Sequence, residues 1–205
     1  MRRRGTIVLL ALALAAAAVA PAAQAQRSQA AVEQARSYFG DTELVNQDGE
    51  TMRFYSDLLE GKIVVIDSMF TTCSAICPVI GQKMQRIQDA AGDRLGKDVH
   101  LISITVDPKI DTPDKLHAYG ERFHAKDGWY FLTGSPDNVD QVLSRLGYAV
   151  EDKDNHSTIV LMGNEKTGLW KKTNGLSSTD QLVKLFREVL QDDGTSDPGG
   201  DRGSR

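Results

Sequence analysis

Two cysteines, Cys73 and Cys77, are separated by three residues in the run Cys73-Ser74-Ala75-Ile76-Cys77-Pro78, and the chain holds no third. Their chemistry is therefore with each other or with something brought from outside. A disulfide needs Cα atoms within ~7 Å, which a turn achieves for residues four apart. The same closeness lets two thiolates share one metal ion. In an oxidising compartment the commonest use of such a pair is a structural bridge. That use is weak here, because stabilisation grows with loop length and this loop is far shorter than the ~15-residue one credited with about 3 kcal/mol. Pro78 marks the first turn of a helix, since proline is tolerated there and disfavoured further in. The positive end of that helix favours thiolate over thiol. Reactive or metal-binding use is the favoured reading.

Copper(I) prefers soft thiolates and accepts imidazole, so one histidine would complete a copper site. Four are available: His100, His117, His124 and His156. His117 and His124 fall on a predicted polar helix and read as solvated surface residues. His100 falls near the start of a strand, at the end opposite the cysteines. His156 follows a polar loop, Glu151 to Asn155, just before the strand beginning at Thr158.

The elements that must position these groups follow from periodicity and punctuation. Leu44-Val45 and Thr51 to Phe54 flank a turn containing Gly49, which predicts an N-terminal β-hairpin. Ile63 to Phe70 is a β-branched run typical of a strand buried on both faces, and it ends at Thr71-Thr72-Cys73. A helix follows from Pro78 to about Ala91. Val99 to Val106 is a second buried strand; Asp111-Thr112-Pro113 opens a helix to about Phe123, with Asp107 and Asp111 read as turn and capping residues. Trp129 to Leu132 is a third strand, and Ser135-Pro136 caps a helix to Leu146. Thr158 to Met162 and Gly168 to Lys171 form a closing hairpin. A last amphipathic helix begins at Ser178 or Thr179 and presents Leu182, Leu185, Phe186 and Val189. The fold class is α/β: a thioredoxin-like mixed sheet flanked by helices. In such sheets the chemistry gathers at the carboxyl ends of strands, where Cys73 and Cys77 fall. The loop leading to Thr158 can return beside them.

Three motifs in order complete the picture: Phe70-Thr71-Thr72-Cys73-x-x-x-Cys77-Pro78, then Val106-Asp107-Pro108-x-x-Asp111-Thr112-Pro113, then His156-Ser157. Together they resemble the Sco/SenC family of copper-binding, thioredoxin-fold proteins, over about residues 38 to 190. The resemblance implies that Cys73, Cys77 and His156 are copper ligands, for Cu(I) or Cu(II). It also implies delivery to an apo-cuproprotein such as a cytochrome c oxidase subunit, whose copper A centre such proteins help to metallate. A thiol reductant protein is a second implied partner. Two positions depart from the family pattern: Ser74 stands where proline is frequent, and Asn155 where an aspartate often precedes the histidine. Loss of a carboxylate beside a ligand changes metal affinity or oxidation-state preference.

Composition excludes other classes. A formal net charge of -4, with scattered Lys and Arg, leaves no basic footprint for nucleic acid. The first 25 residues read as a signal peptide, with Arg2 to Arg4 ahead of an apolar run from Ile7 to Ala20 and cleavage expected after Ala25. Export to the periplasm follows, with membrane contact only through the N-terminal segment if it stays uncleaved. Residues 26–35 are read as a flexible lead, 36–191 as the domain, and 192–205 as a disordered, Gly- and Asp-rich tail. The competing activity is thiol-disulfide exchange on a partner's cysteines, which needs no histidine. A peroxidase of the peroxiredoxin kind fits less well, because Asp67 to Phe70 carry no active-site proline upstream of Cys73.

Overall fold

The computed structural model describes residues 32–148 and 157–194. Residues 32–39 are helical, and the chain divides after Tyr38 into an N-terminal unit and the main unit that begins at Phe39. In the main unit, β1 (Glu43–Val45) and β2 (Thr51–Arg53) pair antiparallel as the expected hairpin. Asn46 Oδ1 holds their turn by accepting the N–H groups of Asp48 and Glu50, at 3.0 and 2.9 Å.

A five-stranded sheet carries the rest. β3 (Ile63–Met69), β4 (Val99–Thr105) and β5 (Trp129–Leu132) run parallel; on the other side β6 (Ile159–Asn164) is antiparallel to β3 and β7 (Leu169–Asn174) antiparallel to β6, in the order β5-β4-β3-β6-β7. Every residue of β3 and β4 is buried, as strands covered on both faces must be. β3 alternates between two cores. Ile63, Val65 and Met69 face a cluster that includes Ile80, Met84 and Ile87 of helix α1 (Cys77–Ala91), Leu116 and Tyr119 of α2 (Pro113–Glu121), and Leu182, Phe186 and Val189 of α4 (Thr179–Gln191). Val64 and Ile66, at the alternate positions, are buried as fully; Val139, Val142, Leu143 and Leu146 of α3 (Pro136–Leu146) lie outside the first cluster and are likewise buried. Each such side chain removed from water contributes roughly 1.5–3 kcal/mol.

The starts of α3 and α4 obey their sequence signals. Ser135 Oγ accepts from Asn138 N–H at 3.2 Å, and Ser178 with Gln181 forms a complete capping box. Among the described residues no helix is long and apolar enough to cross a membrane.

Candidate metal centre

β3 delivers the chain to a tight turn in which Cys73 N–H donates to Phe70 O at 3.2 Å. Helix α1 then opens with Ile76 at its N-cap, a residue whose side chain has no acceptor for the first N–H groups. A sulfur takes that place: Cys77 N–H donates to Cys73 Sγ at 3.4 Å. Both cysteines are free thiols, Cys73 partly exposed and Cys77 buried.

Their environments push them apart. For Cys73, burial opposes ionisation, but donation from the Cys77 N–H and thiol and from the Ala75 and Ile76 N–H groups outweighs it, so its pKa falls below the ordinary thiol value. For Cys77, burial raises the pKa far above that value, and donation to Cys73 and the charges of Cys73 and Asp67 raise it further. The arrangement is one partly exposed sulfur that ionises more readily than an ordinary thiol, backed by one buried thiol, and it is suited to ligation or to attack followed by resolution.

Two buried carboxylates stand near this turn in roles that the sequence does not announce. Asp67, on β3, is 4% exposed and accepts from Ser103 Oγ at 2.6 Å, and Ser103 Oγ in turn accepts from Trp129 Nε1 at 3.0 Å. Burial lifts its pKa to about 6, partly offset by the Ser103 bond. A lone acid within a β-branched strand was the available signal. Asp111 was read as a turn or capping residue, and the structure corrects this: Thr112 occupies the N-cap of α2 and no side chain caps it. The Asp111 carboxylate turns instead to the cysteine turn, accepting from the Thr71 hydroxyl and from Thr71 N–H at 3.1 Å. Asp107 keeps a turn role, its carbonyl accepting from Ile110 and Asp111 N–H at 3.0 Å each.

The histidines separate cleanly. His100 is buried at the far end of β4, 3.0 Å from Leu58 O and edge-on to Tyr130, and burial lowers its pKa. His117 is exposed on α2, 3.3 Å from an Asp48 oxygen, and His124 is exposed just beyond that helix. His156 and Asn155 lie outside the described residues. The structure thus brings Cys73 and Cys77 together, and among the described residues no group of three His, Cys, Asp or Glu side chains is arranged to hold a metal ion. Ser157 is described: its carbonyl accepts from Ser68 Oγ at 3.1 Å, five residues ahead of Cys73.

A mixed sheet with a dithiol at the turn from its central strand into a helix defines a thioredoxin-like protein. Within that class the chain belongs to the SCO1/SenC family, whose sequence pattern matches residues 30–191. A SCO2-like protein of Rickettsia prowazekii is 33% identical over 159 residues, covering 72% of this chain and 75% of that one. One from Rickettsia conorii is 38% identical over 107 residues, and there the chain spans only 50% of its relative's length. Among solved structures, Arabidopsis thaliana ScoI with copper bound superposes with a TM-score of 0.61 at 26% identity, over 75% of this chain and 99% of that one. BsSco is a member of the Sco family of cytochrome c oxidase assembly proteins in which a disulfide switch has been identified. It superposes with a TM-score of 0.61 at 25% identity, over 74% and 92% of the two chains.

Proposed function

We propose that this protein is a copper chaperone that binds copper through Cys73, Cys77 and His156 and passes it to a cuproenzyme, such as the copper A centre of cytochrome c oxidase. The observation that carries the reading is the accessible Cys73 sulfur at the start of α1, with a second sulfur directly behind it. Soft thiolates with an imidazole suit copper in either oxidation state. The sheet supports the third ligand: β6 pairs antiparallel with β3, so its first residues belong at the end where β3 gives way to the cysteine turn. Ser157, next in sequence to His156, is fastened to Ser68 there. Copper arriving at Cys73 draws in Cys77, which loses its proton on ligation. Release is ligand exchange onto the acceptor's sulfurs or imidazoles, with the chaperone's thiols taking protons back.

The test is anaerobic copper titration of the reduced protein followed by absorption. The expected result is one equivalent bound with intense thiolate-to-Cu(II) bands, abolished by Cys73→Ala or Cys77→Ala and weakened by His156→Ala. A His156→Ala variant that binds as tightly as the parent removes the imidazole from the set.

The unequal thiols also favour a second activity, reduction of a partner's disulfide. The Cys73 thiolate attacks one partner sulfur; the partner's S–S bond breaks and its other sulfur leaves as thiolate and is protonated. Cys77, deprotonated, then attacks Cys73 Sγ, freeing the second partner thiol and leaving Cys73 and Cys77 oxidised to a disulfide. A thiol reductant protein must return the pair to the dithiol. A Cys77→Ser variant is expected to trap the mixed disulfide with its partner. An exported location completes the proposal, and N-terminal sequencing that finds Gln26 first would support cleavage after Ala25.

A further inference from the structure

We propose that Asp111 is the positioning residue of the dithiol, its buried carboxylate fixing the turn that holds Cys73 Sγ against the first N–H of α1. The inference rests on Cys73 being the reactive sulfur, and it does not require copper as the cargo.

Asp111 is 0% exposed. A carboxylate withdrawn from water is tolerated only where donors surround it. Three do: the hydroxyl of Thr71, its N–H at 3.1 Å, and the hydroxyl of Thr105 at 2.5 Å. None belongs to α2, the helix that follows Asp111 in sequence. Two belong to a single residue of the cysteine turn, and the third to the last residue of β4. The regular ladder between β3 and β4 closes with Met69 opposite Thr105, and Val106 N–H donates to Met69 O at 2.9 Å. Beyond that rung, the Asp111 carboxylate links the outgoing β3 chain to the end of β4.

The grip lands where it matters. Thr71 sits inside the turn closed by Cys73 N–H on Phe70 O, so holding both its backbone and its side chain fixes the path into Cys73. Cys73 Sγ in turn accepts from Cys77 N–H at 3.4 Å, a contact that weakens as the turn swings the sulfur out of line with that N–H. Asp111 itself is set by its N–H on Asp107 O at 3.0 Å, and Asp107 N–H donates to Thr105 Oγ1 at 2.9 Å. Loop, strand end and cysteine turn thus form one hydrogen-bonded unit.

The test uses the full chain, reduced and metal-free, with iodoacetamide at pH 7 as the probe and mass spectrometry to follow Cys73; far-UV circular dichroism reports folding. Asp111→Asn keeps the size but sets an NH2 against the donors, and the Cys73 rate is expected to fall about fivefold, the loss that one hydrogen bond represents. Thr71→Val should fall by the same factor, Thr71→Ser should recover most of it, and the Asp111→Asn/Thr71→Val double variant should be no slower than either single one. A parent-like rate in Asp111→Asn, or losses that multiply in the double variant, overturns the proposal, even where the unfolding midpoint drops. If Asp111→Asn does not fold, the contrast between Thr71→Val and Thr71→Ser decides alone: equal rates overturn it. Because copper is absent, a protein that fails to bind the metal leaves this result standing while the chaperone reading falls.

Discussion

At Cys73 and Cys77 one side chain type meets two environments four positions apart in sequence. Iodoacetamide at neutral pH should therefore modify Cys73 at least about tenfold faster than Cys77, as read by peptide mapping of the reduced protein. Asp67 permits a pH prediction of definite sign. Its carboxyl titrates at about 6 when folded, against an ordinary value of 3.8. Below about pH 4 both states hold the proton and the residue costs nothing; as pH climbs to about 6 the unfolded chain sheds it more readily, and stability falls. Above that the cost levels off at up to about 3 kcal/mol. Asp67→Asn should flatten this slope in urea titrations and raise stability near pH 7.5. The cysteines were legible from type and spacing alone. Asp111 was not, because acids ahead of a helix usually cap it, and only the fold shows that its carboxylate reaches back 40 residues to Thr71.

Strands and helices were legible in order because their apolar periods differ, two against 3.6. Their ends were less so. The sequence stops the last strand at Lys171, whereas β7 runs on to Asn174, since its register opposite β6 pairs Asn174 with Ile159 and polar residues on an edge strand carry no apolar signal. Helix α2 ends at Glu121 rather than near Phe123, where Phe123 and Ala125 N–H groups both turn onto Gly120 O. Packing between elements is hidden from sequence altogether. Gly81, inside α1, faces the Phe123 ring so closely that an added Cβ would meet Cζ at 2.5 Å. Gly81→Ala should destabilise by about 1–3 kcal/mol in chemical denaturation despite alanine's better helix propensity. Ser178→Ala, which breaks the capping box of α4, should cost about 1 kcal/mol by the same measurement.

For the molecule as a whole, binding to the native state alone raises stability by mass action. Copper at a hundred times its dissociation constant should add about 2.7 kcal/mol, visible as a higher thermal midpoint and absent in a Cys73→Ala/Cys77→Ala double variant. The layered architecture was legible because β3 and β4 read as continuous apolar runs, which only a sheet clothed on both sides accommodates. The pairing of β3 has a further effect during synthesis. One of its neighbours, β6, lies about a hundred residues downstream, with Ile63 opposite Asn164. Until the ribosome has made that segment, the most apolar strand of the nascent chain waits with an open flank, ready to join the wrong neighbour. A chain cut before Ile159 should accordingly clump rather than linger as a half-built domain, and holdase chaperones should engage it longest over that interval.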